Sequence, residues 1–345
     1  VKNTFTAGSN LTSNIKISGS SSNTYTALSV QKGKLLTDTA VNLDDITDIY
    51  NRTEFINSSI DISSSMSGTQ NMQMASGQEN YGTGSTAADR ARIVINNTGS
   101  ITLSGNSSTG LFTNFGEINN SGTVSVTGDN SAGLYGTNGS QVVNSGIINV
   151  GNRTTGIYAV NYLNGTPETY GDGKIDIENS GTIKSSGTVH GGYGIYTNNT
   201  KTISDSKIKL TSTSNIDVSG GEKGVGLYGT NTTVDIDGNI TVGKNGVGVY
   251  LSNSTGNING GTINLNGDNS VGYYLTNGTT LTNNGGSLFV DGKNVILMIT
   301  DSGSNIVFNS PFNINAASGS TYTMGNLLGG TFYNDNTVTL ASDGS

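Results

Sequence analysis

The chain has 345 residues with 51 Gly, 2 Pro and no Cys, and its formal net charge at pH 7 is −8. Hydrophobic residues make up 32% and charged residues 12%, which argues against an ordinary globular core and against a charge-rich disordered tail. An acidic chain with 16 dispersed Lys and Arg is unsuited to nucleic acid or anionic membrane surfaces. The lack of Cys excludes disulfides and thiolate metal sites.

The N-terminal part, residues 1–95, is less regular than the rest. It contains alternating strand patterns such as SNIKISG at 13–19, but residues 65–90 are polar without alternation, which predicts an insertion there. No signal peptide begins at Val1, so we expect a piece of a longer protein. The longest apolar run, Val295–Ile299, has the length of a strand, so we expect no direct membrane insertion.

Residues 96–300 repeat a pattern with a period of about 22–25 residues. One phrase has apolar residues two apart, as in NSGTVSV at 120–126, which predicts a short strand with one buried face. The next phrase, as in GDNSAGLYG at 128–136, predicts a Gly/Asn turn and a second strand. With a third, Asn- and Thr-rich stretch, each unit predicts one coil of an all-β solenoid, a parallel β-helix with three short strands per coil.

Parallel stacking of such coils places equivalent residues in columns. The aromatic position of the repeat predicts a ladder that stabilises successive coils, and a glycan-stacking surface is its functional alternative. Its members are Phe112, Tyr135, Tyr158, Tyr196, Tyr228, Tyr250 and Tyr274. The first residue of the NSG phrase predicts an amide ladder of Asn120, Asn144 and Asn179.

The stretch around Ser131 has the outline of a loop that carries a nucleophilic serine. Its counterparts in other coils are Thr154 and Gly246, and a nucleophile would not be repeated along a rod and then replaced by glycine. A nucleophilic serine also needs a base, and the only histidine is His190. We therefore predict a turn residue, no catalytic residues and no enzyme.

Two acidic groups are candidates for a calcium site. They are Asp172, Asp176 and Glu178 in GDGKIDIE, and Asp235 with Asp237 in VDIDG. Calcium takes six to eight oxygen ligands, and neither group completes an EF-hand or a calcium nonapeptide pattern. Acidic residues alternating along a strand are typically solvated, so we predict no metal and no cofactor.

The repeat is stretched at two places, which predicts loop insertions near 159–178 and 197–214. Insertions in solenoids emerge as loops, and loops carry recognition, although neutral variation in length is the alternative. Residues 301–345 predict further coils, so that 1–345 forms one continuous solenoid. The candidate partner-binding residues are Tyr162, Glu168, Tyr170, Asp172, His190 and Tyr193.

Tandem NSGTI or NSGTV strands followed by G-x-N-S-x-G-[LIV]-Y resemble the passenger domains of large monomeric (type Va) autotransporters. The Asn-rich character is most similar to the fusobacterial outer-membrane autotransporter adhesins, and the resemblance covers about residues 95–300. It implies a right-handed parallel β-helix, exported through the outer membrane by a C-terminal β-barrel and displayed on the bacterial cell surface.

The sequence therefore predicts a monomeric, non-enzymatic segment of a surface adhesin that binds a protein or glycan receptor on host or other bacterial cells. One alternative is a carbohydrate-active β-helix enzyme or a phage tailspike, which needs clustered carboxylates and basic residues. Arg153 is the only Arg after Arg92, and Trp is absent. The other alternative is a passive stalk that holds a binding tip away from the membrane.

Overall fold

The computed structural model describes residues 4–7, 25–32, 58–62, 65–68, 72–79, 93–114, 116–161, 174–199, 206–334 and 338–342. The described residues form 34 β-strands and no helix. The strands build three parallel sheets of 12, 11 and 11 strands. This arrangement is a β-solenoid, and it confirms the predicted all-β fold with three short strands per coil.

The strands are short and follow one another around successive coils. In chain order they are β1 (Thr4–Ala7), β2 (Tyr25–Lys32), β3 (Ser58–Ile62), β4 (Ser65–Gly68), β5 (Met72–Glu79), β6 (Ile93–Asn97), β7 (Ser100–Leu103), β8 (Thr109–Asn114), β9 (Glu117–Asn120), β10 (Thr123–Val126), β11 (Ala132–Thr137), β12 (Gln141–Asn144), β13 (Ile147–Val150), β14 (Thr155–Asn161), β15 (Asp176–Asn179), β16 (Thr182–Ser185), β17 (Tyr193–Asn199), β18 (Lys207–Leu210), β19 (Asn215–Val218), β20 (Val225–Thr230), β21 (Thr233–Ile236), β22 (Asn239–Val242), β23 (Val247–Ser252), β24 (Thr255–Ile258), β25 (Thr262–Leu265), β26 (Val271–Thr276), β27 (Thr280–Asn283), β28 (Ser287–Val290), β29 (Val295–Asp301), β30 (Asn305–Phe308), β31 (Phe312–Ala316), β32 (Tyr322–Leu328), β33 (Thr331–Asn334) and β34 (Val338–Ser342).

From β3 to β32, each coil contributes one strand to each sheet. Sheet A, with 12 strands, runs from β1 and β3 through every third strand to β33; sheet B runs from β4 to β34, and sheet C from β2 to β32. In β10, Val124 and Val126 are fully buried, while Thr123 and Ser125 are partly exposed. This two-residue alternation, repeated in sheets A and B, lines a continuous core with Ile, Leu and Val.

The glycine before the apolar-aromatic pair is required by close packing between sheets. A Cβ atom on Gly133 would lie 2.6 Å from Cγ2 of Ile148 in sheet B and 2.7 Å from the carbonyl oxygen of Gly156 in the next coil. Gly248 has the same surroundings, 2.6 Å from Ile263 Cγ2 and 2.7 Å from the Gly272 oxygen. The recurrent Gly therefore lets sheet C approach the core residues of sheet B.

The NSG phrase forms the corner between sheets A and B. Asn144 donates through Nδ2 to Asn179 Oδ1 at 2.7 Å and accepts from Asn120 at 2.7 Å, so the predicted amide column is present. The backbone N–H groups of Ser145 and Gly146 both donate to the carbonyl oxygen of Asn120. These bonds satisfy buried polar groups at a corner that ladder pairing alone would leave open.

The amide column is longer than its sequence prediction. Asn97 Nδ2 donates to Asn120 Oδ1 at 2.7 Å, and Asn179 Nδ2 donates to Ser214 Oγ at 2.6 Å. The next register position after Asn179 is Leu210, so the column ends on the nearby serine. The sequence signal for this end of the column is Ser214, because its hydroxyl accepts the N–H of the last amide in the column.

The structure corrects part of the N-terminal insertion predicted near 65–90, because two of its segments are strands of the solenoid. Ser65–Gly68 forms β4 and pairs with β7, and Met72–Glu79 forms β5 and pairs with β8. The absence of alternation was misleading, because the ladder hydrogen bonds come from the backbone and stacking coils accept small and polar side chains. Residues 80–92 lie outside the described residues.

The insertions predicted near 159–178 and 197–214 are also narrower in the structure. Strand β14 continues to Asn161 and β15 begins at Asp176, while β17 continues to Asn199 and β18 begins at Lys207. The segments 162–173 and 200–205 lie outside the described residues. KIKL at 207–210, assigned to the second insertion from sequence, is a strand of sheet A whose Ile208 and Leu210 are buried.

Candidate functional site: the outer face of sheet C

The aromatic residues of the repeat form one continuous column on the outer face of sheet C. In the strand registers, Tyr135 lies beside Phe112 and Tyr158, and Tyr228 beside Tyr196 and Tyr250. Neighbouring ring centroids from Phe112 to Tyr274 are 4.7–5.1 Å apart. All seven rings are partly buried, so the column lies at the protein surface.

The rings change orientation along the column. Tyr158, Tyr196, Tyr228 and Tyr250 are stacked, with interplanar angles of 7°, 7° and 2°. Tyr135 is turned by 78° relative to Tyr158. The stacked rings cover one another's faces and therefore present their edges and phenolic ends outward, whereas a turned ring presents a different side.

Tyr193 lies beside the stacked part of the column. Its ring makes edge contacts with Tyr196, at a centroid distance of 5.2 Å and 78°, and with Tyr228, at 6.1 Å and 85°. Burial, together with the nearby Tyr228, raises the pKa of Tyr193 above its usual range. Tyr193 was predicted from sequence as a partner-binding loop residue, and the structure places it in β17, where Val225 follows it in register.

Charged side chains are absent from the outer face of sheet C over its central strands. None of β8, β11, β14, β17, β20, β23 and β26 contains Asp, Glu, Lys or Arg. Val225, Val247 and Val271 form a partly buried aliphatic column on one side of the aromatic column. On a chain of net charge −8, this stretch is an uncharged stripe of aromatic and aliphatic groups.

Coil stacking does not require an aromatic residue in this column. Ser76 precedes Phe112 in register, and Ile299 and Asn326 follow Tyr274. Sheet C is continuous through all of these positions. The aromatic side chains between Phe112 and Tyr274 therefore add a surface property beyond what the solenoid needs to stack.

The segments predicted as insertions follow the ends of two neighbouring strands of sheet C, β14 and β17. The chain passes outside the described residues after Asn161 and again after Asn199, and these two asparagines are register partners in adjacent coils. The candidate residues Tyr162, Glu168, Tyr170 and Asp172, all in 162–173, are outside the described residues.

Ser131 and His190 do not form a catalytic pair. The Ser131 hydroxyl accepts the backbone N–H of Ser108 at 2.9 Å and donates to the carbonyl oxygen of Asp129 at 3.1 Å. His190 lies before β17 and pairs through its backbone with Glu222. Because β14 separates their coils, the two residues are about 10 Å apart along the axis, beyond hydrogen-bonding reach.

Two of the acidic residues considered for calcium, Glu178 and Asp235, face lysines. Lys209 Nζ lies 3.3 Å from Glu178 Oε2, and Lys207 Nζ lies 2.6 Å from Asp235 Oδ2. Burial acts to raise the pKa of Asp235, but hydrogen bonds from Lys207 and Asn257 outweigh it, so this pKa is below its usual range. Glu178, Lys207 and Lys209, together with Asp176, line a shallow depression of about 250 Å³ on sheet A.

This geometry favours ion pairs between coils over a cation site. In the described part of the chain, no group of three or more His, Asp or Glu side chains has the arrangement to hold a metal ion.

A second charged column lies at the turn that precedes sheet C. Lys244 Nζ contacts Glu222 Oε1 at 2.8 Å, and this hydrogen bond and ion pair lower the pKa of Glu222 and raise that of Lys244. The backbone N–H of Lys293 donates to Asp268 Oδ1 at 2.8 Å. The ion pairs of the described residues thus lie on sheet A and at this turn, outside the central strands of sheet C.

Sequence reasoning missed the different role of Tyr273, the neighbour of Tyr274. Its side chain is 0% exposed and lies in the core column between Val249 and Met298. Burial raises the pKa of Tyr273 well above its usual range, and its hydroxyl has no hydrogen-bond partner among the described residues. The sequence signal for this buried tyrosine is GYY at 272–274, where other coils have GLY, because the middle residue of the phrase is the one that faces the core.

Comparison with known proteins identifies no relative: no family model, no curated protein and no solved structure matches the chain. Within the described ranges there is no helix with the length and apolar character to cross a membrane.

Proposed function

We propose that this chain is a non-enzymatic segment of a bacterial surface adhesin, which attaches the cell to a protein or glycan receptor on host or other bacterial cells. The proposal rests on one observation: the outer face of sheet C carries a continuous aromatic column, although the coils also stack where this column has no aromatic residue. Uncharged aromatic patches at the surface of soluble proteins typically mark interaction sites.

The resemblance of the NSG and G-x-N-S-x-G-[LIV]-Y phrases to type Va autotransporter passengers supports a location at the cell surface, outside the outer membrane. A rigid solenoid suits this role, because each coil moves the contact surface about 4.8 Å further along the axis.

The chemistry of the polar groups supports a binding role over an enzymatic one. The Ser131 hydroxyl is engaged by backbone groups, and Glu178 and Asp235 each face a lysine. Glycoside hydrolysis needs two carboxyl groups that face one sugar linkage. The lysines paired with Glu178 and Asp235 oppose such a role for these two carboxyl groups.

The insertions provide a second contact region in this proposal. Residues 162–173 and 200–205 follow the register partners Asn161 and Asn199 at the ends of β14 and β17, two strands that carry rings of the aromatic column, so we expect contacts made by both segments to adjoin the face. Replacing each segment with the short turn of a regular coil, such as 277–279, tests this part. Unchanged attachment to cells after both replacements would remove the insertions from the binding surface.

The experiment for the function is a binding assay with the purified chain, labelled by fluorescence, on epithelial cells and on other bacteria. We expect saturable binding to at least one cell type and no release of reducing sugar ends from cell-surface glycans. A folded chain that binds no cell would support the stalk, and release of reducing ends would support the carbohydrate-active enzyme.

A further inference from the structure

We propose that the outer face of sheet C binds an uncharged, extended glycan that lies along the aromatic column, parallel to the solenoid axis. This inference rests on the proposed adhesive function and names the class of its ligand. Its support comes from the shape, the charge and the ring chemistry of the face.

The face is long and narrow. Seven coils at about 4.8 Å per step give a length of about 30 Å. The register positions of Val225 and Tyr228 are three residues apart along each strand, which gives a width of about 10 Å. The resulting area, about 300 Å², is well below the roughly 800 Å² per partner that a stable protein interface buries. A single polymer chain fits these dimensions better than a second copy of this protein.

The face selects against charged ligands. The strands of this face, β8, β11, β14, β17, β20, β23 and β26, contain no Asp, Glu, Lys or Arg, and Lys244, at the turn before β23, is paired with Glu222. Sulfated or uronic-acid glycans need unpaired Arg or Lys, since an anion loses its hydration on binding. A neutral polysaccharide has no such requirement.

The aromatic side chains suit a polymer of sugar rings. Tyr228, Tyr250 and Tyr274 repeat at 4.7–5.1 Å, and each phenolic hydroxyl both donates and accepts a hydrogen bond. A glycan offers hydroxyl groups with a similar periodicity, because it repeats one ring at a time. Tyr193, perpendicular to the stacked rings, supplies a ring in a second orientation for packing against sugar C–H groups.

The chain itself provides matched substitutions. Ile299 occupies the aromatic column, so Tyr228→Ile combined with Tyr250→Ile removes two rings with a residue that this column accepts. Val225 follows Tyr193 in register, so Tyr193→Val is matched in the same way. Tyr273→Phe alters a tyrosine on the inner face and is the control.

The test measures binding of the folded chain to immobilised neutral polysaccharides (a β-1,4-glucan, a xylan, a mannan and a galactan), with heparin as the anionic comparison. We expect binding to at least one neutral polysaccharide and weaker binding to heparin. Loss of two ring contacts should weaken the binding by about tenfold or more in the double variant, with a smaller loss for Tyr193→Val. Binding by Tyr273→Phe should equal that of the unchanged chain.

Three results would overturn the proposal. They are a lack of binding to every neutral polysaccharide, equal binding by the double variant, and a self-association in sedimentation velocity that the double variant abolishes. The last result would assign the face to a second copy. If the chain attaches to cells but these polysaccharides neither bind to it nor compete with that attachment, the adhesive function stands and the glycan proposal fails. If the chain binds a polysaccharide but attaches to no cell, the adhesive function fails and the glycan proposal stands.

Discussion

The two sides of sheet C follow different rules, as the adjacent residues Tyr273 and Tyr274 illustrate. The inner side holds glycine and fully buried side chains such as Leu227, and glycines there, such as Gly248, pack closely against core residues of the neighbouring sheets. The outer side accepts serine, phenylalanine, tyrosine, isoleucine and asparagine in a single column. Core packing accounts for the inner side, and we propose that the aromatic residues of the outer side, beyond their contacts with one another, serve contact with a partner.

The largest expected effect is a loss of stability, which should be greater for Leu227→Ala on the inner side than for Tyr228→Ile on the outer side. Leu227 is 0% exposed, and its truncation should lower the free energy of unfolding by about 2–5 kcal/mol. The adjacent outer substitution loses ring contacts with its neighbours and should cost about 1–3 kcal/mol. Chemical denaturation of both variants measures the difference, and equal costs would contradict the distinction between the two sides.

The next effect tests the close approach of sheet C to sheet B. Gly248→Ala places a methyl group 2.6 Å from Ile263 Cγ2 and should destabilise the fold by about 1–3 kcal/mol. Gly325→Ala is the matched control in the same sheet, because its nearest atoms are 3.8 Å away. If Gly325→Ala lowers the thermal stability as much as Gly248→Ala does, close packing against Ile263 is not the cause of the destabilisation.

Removal of the buried hydroxyl of Tyr273 should stabilise the chain. The hydroxyl is buried without a partner among the described residues, so Tyr273→Phe should raise the free energy of unfolding by about 1 kcal/mol. Tyr274→Phe on the outer side should change it by less than about 0.5 kcal/mol. A destabilised Tyr273→Phe variant would mean that this hydroxyl forms a hydrogen bond in solution.

These contrasts also show how far the sequence alone could go. The 22–25-residue period and the G-x-N-S-x-G-[LIV]-Y phrase were enough to predict three strands per coil and the aromatic register from Phe112 to Tyr274. The NSG phrase was enough to predict the amide column through Asn144. Alternation did not reveal β4 and β5, because parallel pairing uses the backbone and tolerates polar side chains. Ring orientation and the lack of charge along the face depend on which strands become neighbours, and a repeat alone does not specify them.

The smallest expected effect concerns the charged turn beside the uncharged face. Lys244 lowers the pKa of Glu222 below its ordinary value of 4.5, so this pair contributes stability above that pH and loses it as pH falls through the lower folded value. Lys244→Gln should raise the Glu222 pKa toward 4.5, as measured by NMR titration of the side-chain carboxyl. An unchanged pKa would contradict the ion pair, and polysaccharide binding should not change in this variant.

The central claim is that the outer side of sheet C is the contact surface of an adhesin. Its most direct test is attachment to cells by the purified chain, compared with a Tyr228→Ile and Tyr250→Ile variant whose circular dichroism shows the same β-structure. We predict that the variant loses most of its attachment, while Tyr273→Phe retains it in full. Undiminished attachment by the folded double variant would contradict the claim.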